Sequence, residues 1–213
     1  MKIHIITLFP EALEPYLNAS MLWKAQDKGA VTFDLINLRD FGIGPRKQVD
    51  DTPYGGGDGM VLRPEPIVAA IEHAKKTSPD GLVLLPTPRG EFYKQSIAKQ
   101  FAANKQDLII VCPRYEGYDE RVIKYVDKQV CIGSYVLTGG ELPALIIADS
   151  VVRLLPGVLG GETSAEKESF QEDDKNIEHA QYTRPETFRE AKVPDVLLSG
   201  HHAEIEKWRK VGR

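Results

Sequence analysis

The chain has 213 residues, 42% of them hydrophobic and 27% charged. That suits one full domain, or a domain with a small annex, and excludes disordered and fibrous classes. A net charge of −4 excludes a partner held only by bulk positive charge, while a local basic patch for nucleic acid stays open.

The first ten residues, MKIHIITLFP, form an apolar stretch too short for a signal peptide; it contains His4 and lacks a small-residue cleavage site. Residues 3–9 are β-branched and apolar up to Pro10, the pattern of a buried strand. Residues 11–28 place Leu13, Leu17, Met21 and Ala25 four apart and then stop at Gly29, which predicts one amphipathic helix. Residues 31–38 alternate as a strand does, and 39–63 read as a long loop dense in Gly, Pro and Asp. A helix is expected over 64–76, with Pro64 or Pro66 in its first turn.

Further strands are expected at 81–86, 107–112 and 129–133, with helices at 93–103, 143–155 and a short one at 120–126. Nearly all-apolar strands alternating with helices imply an α/β fold on a parallel sheet. The longest apolar region, 135–159, is interrupted by Glu141, Asp149 and Arg153, so no transmembrane span is expected. Beyond residue 156 the chain turns polar and acidic: 157–190 reads as a linker or irregular arm. A short helix over 202–210 follows. Two cysteines, Cys112 and Cys131, form no Cys-x-x-Cys and no Cys/His cluster, which argues against structural zinc. A cytoplasmic protein with reduced thiols is the expectation.

Walker, dinucleotide-binding, nucleophile-elbow and His-Glu-x-x-His signatures are absent. Glycines instead concentrate in four loops: YGGGDGM at 54–60, PTPRG at 86–90, PRYEGYD at 113–119 and GSYVLTGGELP at 133–143. Three of these follow expected strands. Ligands of open α/β sheets bind at the carboxyl ends of strands, and glycine lets backbone N–H and C=O groups approach a ligand closely. An adenosine-type ligand suits such a site; tight turns alone are the competing reading.

The stretches CPRYEGYDER (112–121) and CIGSYVLTGGELP (131–143) resemble the TrmD family of bacterial tRNA (guanine-N1)-methyltransferases, of the SPOUT class. The resemblance runs nearly end to end, through IITLFPE, VDDTPYGGGDGM, RPEPI, LPGVLG, ESF, YTRPE, VPDVLLSGHH and EIEKWR. It implies a sheet ending in a trefoil knot, a homodimer with active sites at the subunit interface, and methylation of N1 of the guanine at tRNA position 37, with S-adenosylmethionine as donor. It implies three regions: a SPOUT domain at 1–156, a linker at 157–190 carrying the catalytic acid, and at 191–213 the start of a helical tRNA-binding domain that family members continue.

The motif matches place the cofactor among Leu85, Pro86, Thr87 and Pro88, then Pro113, Tyr115, Glu116 and Gly117. They continue with Cys131, Ile132, Gly133, Tyr135, Leu137, Gly139, Gly140 and Pro143. Tyr115 and Tyr135 also fit half-buried aromatics at a sheet end. Guanine N1 is protonated at neutral pH, so a base is needed; the family's aspartate before Ser-Phe corresponds to Glu168. Arg153 matches the arginine that stabilises charge on the guanine. From the residues alone, Glu168 reads as a solvated acid, and Arg153 as a helix-end cation near the dipole or Asp149.

RNA contacts are expected at Arg46, Asp50, Gly55, Gly59, Ser164, Glu178 and Arg184, with a tail cluster of Lys207, Arg209 and Lys210; His201 and His202 read as structural or solvated. The family is also described as needing magnesium, although no metal-ligand spacing is present. Pro113, Ser134 and Glu168 depart from the family's glycine, acid and aspartate. Those departures and the short C-terminus motivate one alternative, a SAM- and RNA-binding SPOUT-type protein with weak or no transfer. The acidic balance suits another, a nucleotide-binding protein with no RNA role.

Overall fold

The computed structural model describes residues 1–160, 168–170 and 177–211. The chain divides into two compact units, Met1–Gly160 and Gly161–Arg213.

The first unit is built on five parallel strands: β1 (Lys2–Thr7), β2 (Thr32–Asn37), β5 (Leu82–Phe92), β6 (Leu108–Val111) and β7 (Lys128–Cys131). Their order in the sheet is β2-β1-β6-β5-β7. A short antiparallel ladder joins β3 (Asp50–Asp51) to β4 (Val61–Leu62). The strands bury both faces. Along β6, Leu108 and Ile110 enter one core and Ile109 and Val111 the other, the period-2 alternation of a pleated strand. The first core takes the apolar stripes of α1 (Pro10–Leu17), α2 (Ser20–Asp27), α4 (Gln95–Asn104) and α5 (Glu141–Val152); the second takes α3 (Pro64–Lys75).

Several expected elements are corrected. The single helix over 11–28 is two, split at Asn18 and Ala19, with Ala19 extended at φ −116° and ψ 154°. Pro15 lies inside α1, where it removes a backbone donor and weakens the continuing turn. The break shifts the register, so Leu22 is buried in place of Met21. The loop over 39–63 holds the β3–β4 ladder and a 3₁₀ turn, Leu38–Phe41. The strand expected to end at Pro86 continues to Phe92, because Pro86 and Glu91 both pair with Val130 and residues 87–90 bulge out between them. Gly90 permits the return, since a Cβ there would lie 2.4 Å from the Val130 nitrogen. Helix α5 starts at Glu141, ahead of Pro143.

One buried polar chain crosses β1 and β2. His4 Nδ1 lies 2.8 Å from Asp34 Oδ2, its Nε2 lies 2.9 Å from Ser78 Oγ, and Ser78 donates to Asp107 at 2.7 Å. These contacts supply partners for groups that would be costly to bury alone.

The second unit carries the hairpin β8 (Thr187–Phe188) and β9 (Ala191–Lys192), the single turn α6 (Asp195–Leu198), and α7 (His202–Val211). The hairpin begins within the stretch expected to be irregular. Trp208 sits 5.7 Å from the His179 ring and 6.2 Å from Tyr182. No helix among the described residues is long and apolar enough to cross a membrane.

Candidate active site

A cavity of about 410 Å³ opens at the carboxyl ends of β5, β6 and β7. Three segments wall it: the bulge of β5, the loop 113–118 after β6, and the loop 132–140 that leads into α5. Backbone bonds tie the walls together. Gly140 N–H donates to the Pro113 carbonyl at 2.8 Å, and a Cβ on Gly140 would lie 2.5 Å from the Pro113 ring. Pro113 thus gives up a donor but fills the space against Gly140. Tyr115 and Gly117 hold positive φ, 60° and 118°, a conformation that costs glycine little. No atom lies within 4 Å of a Cβ built on Gly117, so this wall presents bare backbone to the cavity it lines.

The glycine loop at 54–60 reaches the same wall. Glu116 N–H donates to the Met60 carbonyl at 3.0 Å and Leu62 N–H to that of Gly117 at 2.9 Å. Gly59 lies so close that a Cβ would meet Glu116 Cγ at 2.6 Å.

Behind the wall lies a polar group that the motif reading misses. Glu141 heads α5 with a side chain 7% exposed; its Oε1 accepts from Thr7 Oγ1 at 2.8 Å, and its Oε2 lies 2.9 Å from Arg114 Nε. Arg114 also donates to the Thr138 carbonyl at 3.3 Å and lies 4.6 Å from the Phe9 ring centroid. The helix N-terminus favours the carboxylate. Burial pushes the adjacent Cys112 thiol well above its usual range; Glu141's charge adds to this and Arg114 opposes it. A sequence signal exists but is not specific: Thr7 and Glu141 are polar residues in largely apolar runs, which they share with His4, Asp149 and Arg153.

Of the residues expected at the cofactor, all but Leu85 line this cavity. Leu85 does not: its side chain is wholly buried and faces the α3 core, while Pro86 and Thr87, beyond it on β5, carry the wall. Arg89, Arg114, Tyr118, Val136 and Thr138 join the lining unforeseen. Arg153 follows α5 and lines a separate apolar groove with Tyr16, Leu142 and Asp149; this groove shares Tyr135 and Leu137 with the cavity. Within it the Tyr16 hydroxyl donates to Asp149 at 2.5 Å, and that bond raises the phenol pKa.

Asp50 sits half-buried on β3, Arg46 is exposed, and Gly55 has positive φ in open space. In the second unit Glu168 is half-buried, Glu178 N–H donates to Ser169 Oγ at 2.9 Å, and Arg184 is exposed. The tail cations Lys207, Arg209 and Lys210 lie on α7. Ser164 lies outside the described residues.

The cavity fits S-adenosylmethionine. Its volume lies within the range of small-molecule sites, about 300–1,000 Å³. Its lining combines apolar side chains (Pro86, Ile132, Leu137) with glycine backbone able to read an adenine edge. Among the described residues no group of three or more His, Cys, Asp or Glu side chains converges on a metal position.

Comparison with known proteins adds four findings. The model of a family described as tRNA (Guanine-1)-methyltransferase TrmD matches residues 1–213. The tRNA (guanine-N(1)-)-methyltransferase of Halalkalibacterium halodurans is 53% identical over 212 residues, covering 99% of this chain and 85% of that protein. The Mycoplasma mycoides protein of the same description is 51% identical over 210 residues, with the same coverages. Among solved structures, the crystal structure of tRNA (m1G37) methyltransferase from Aquifex aeolicus superposes with a TM-score of 0.81 at 39% identity, over 98% of this chain and 87% of that one.

Proposed function

The chain belongs to the tRNA (guanine-1)-methyltransferase TrmD family, and from that premise we propose that it methylates N1 of the guanine at tRNA position 37, beside the anticodon. The observation that carries this reading is the glycine-built cavity at the ends of β5, β6 and β7, walled by the family's own ordered motifs. S-adenosylmethionine, bound there, supplies an electrophilic methyl group.

The chain's own residues do the rest. Glu168 accepts the N1 proton as the new bond forms, since neutral guanine N1 is a poor nucleophile while protonated. Arg153 faces the charge that builds on O6, where a guanidinium is well suited to donate. Arg46, Asp50, Gly55, Gly59, Ser164, Glu178 and Arg184 position the RNA, the basic groups on phosphate and the acids on base edges. We take the active unit to be a homodimer, with Glu168 and the cofactor loops supplied by different subunits. We take residues 1–156 as the knotted domain, 157–190 as the linker and 191–213 as the helical tRNA-binding part, in a cytoplasmic protein. Among the described residues no cluster of three or more His, Cys, Asp or Glu side chains offers magnesium a site.

The test is methyl transfer from labelled S-adenosylmethionine to a tRNA transcript with guanines at positions 36 and 37, read by nucleoside mass spectrometry. The expected product is 1-methylguanosine at position 37. Binding of cofactor and RNA without product would favour the non-transferring alternative, which the Pro113, Ser134 and Glu168 departures motivate.

A further inference from the structure

We propose that the pair formed by partly buried Arg114 and buried Glu141 is a positioning latch for the cofactor loops, holding Thr138 and Gly139 in the conformation that binds S-adenosylmethionine. The inference rests on the cofactor reading above.

The geometry gives the pair a reach that simple stabilisation would not need. Glu141 divides its two oxygens between different parts of the chain: Oε1 takes the Thr7 hydroxyl at the end of β1, and Oε2 faces Arg114 Nε at 2.9 Å. Thr7 is itself fixed, because its Oγ1 accepts the Phe9 N–H at 3.0 Å. Arg114 stacks on Phe9 and passes the constraint forward through its bond to the Thr138 carbonyl. The next residue is moulded against the pair. A Cβ on Gly139 would lie 2.4 Å from Arg114 Nε and 2.6 Å from Glu141 Oε2. Arg114, Thr138, Gly139 and Gly140 all line the cavity, so a shift of the guanidinium shifts the wall.

Energetics point the same way. Desolvation of two charges offsets most of their mutual attraction, and apolar replacements of similar volume often stabilise as well. What an apolar pair lacks is direction. A planar guanidinium offers donors at fixed angles: one of them is bonded to the Thr138 carbonyl, while Nε forms a close ion pair with the Glu141 carboxylate without hydrogen-bond geometry. Lysine, a single point charge, lacks those fixed angles.

Three variants separate a latch from a purely structural pair: Arg114→Lys, Glu141→Gln, and the double variant Arg114→Met/Glu141→Gln. Each is measured for thermal midpoint, for S-adenosylmethionine binding by calorimetry, and for KM of cofactor and tRNA separately. Each single variant is expected to weaken cofactor binding at least about tenfold, since small misplacements at a reacting site cost this much or more, with KM for tRNA little changed.

The double variant decides. It leaves no buried charge unpaired, so its thermal midpoint is expected to recover towards wild type while cofactor binding stays weak. Recovery of midpoint and binding together would overturn the latch and leave a structural ion pair. Cofactor binding by Arg114→Lys equal to wild type would overturn it too. Failure of the wild-type chain to bind S-adenosylmethionine is a different result: it overturns the cofactor reading, and the latch with it.

Discussion

The two units are stabilised in different ways. In Met1–Gly160 the strands are covered on both faces, and every fully buried hydrophobic side chain among the described residues falls between Ile3 and Val158. In the second unit order among the described residues is local: a two-residue ladder, one short turn of helix, the ten-residue α7, and an aromatic trio around Trp208. The cavity belongs to the first kind of structure and the proposed base to the second. The lesson is that cofactor and base place opposite demands on the chain. A cofactor pocket made of backbone atoms needs a rigid core behind it, because a sub-ångström shift of a loop loses its hydrogen bonds. A base that must meet an incoming RNA needs only to arrive.

The comparison breaks most sharply at Glu168. Glu168→Ala is expected to lower kcat for methyl transfer by about 10²–10⁴-fold, the usual contribution of a positioned base, while the thermal midpoint stays at the wild-type value. Glu168→Asp restores the family's shorter carboxylate and is expected to keep most of the rate. Stopped or steady-state methyl transfer beside a thermal melt reads both quantities. Unchanged turnover in Glu168→Ala would remove the base from this position. A fall in the midpoint would move Glu168 to the structural side of the comparison.

Ile110→Ala gives the converse. Ile110 is wholly buried at the centre of the sheet, and its truncation is expected to cost about 2–5 kcal/mol through lost burial and a residual cavity. Denaturant unfolding followed by far-UV circular dichroism reads it. Trp208→Ala, removing the centre of the aromatic trio, is expected to leave the main transition in place and to weaken tRNA binding instead. A Trp208→Ala loss as large as that of Ile110→Ala would erase the distinction between the units.

How far these assignments were legible follows the same line. The strands of the sheet announce themselves because a buried parallel strand is a run of β-branched and leucine residues, and that is a local property. The cofactor loops announce themselves because glycine is needed where backbone folds back or presses on backbone, as at Gly90 and Gly140. What escaped is what depends on the third dimension. Leu85 reads as the end of a strand leading into the cofactor loop, yet its place in the pleat points its side chain to the α3 core. The helix over 11–28 keeps its apolar spacing through a break that only packing reveals. Arg114 and Glu141 stand in different motifs, and nothing in either motif states that they touch. Glu168 and Arg153 are different again. Their residue types suit the chemistry, but their roles come from the resemblance.

The smallest expected effect tests the rigidity of the cofactor floor by pH. Burial and the Glu141 charge hold the Cys112 thiol well above its ordinary range, so the folded chain keeps a proton that the unfolded chain releases near pH 8.5. The contribution is therefore fully present below that value and is lost as pH rises above it. The maximum slope is about 1.4 kcal/mol per pH unit. Tyr93, partly buried, has its phenol raised to about 12 by desolvation, with its 2.7 Å bond to Ser150 acting the other way. Its own alkaline loss begins only near pH 10, the ordinary value for tyrosine. Between about pH 8.5 and 9.5 the Cys112 thiol thus acts without Tyr93. Chemical denaturation across that window is expected to show a shallower decline in Cys112→Ala than in wild type, with the two chains parallel below pH 8. Equal slopes would mean that Cys112 meets solvent often enough to titrate in place, and that the floor beneath the cofactor loops is not rigid.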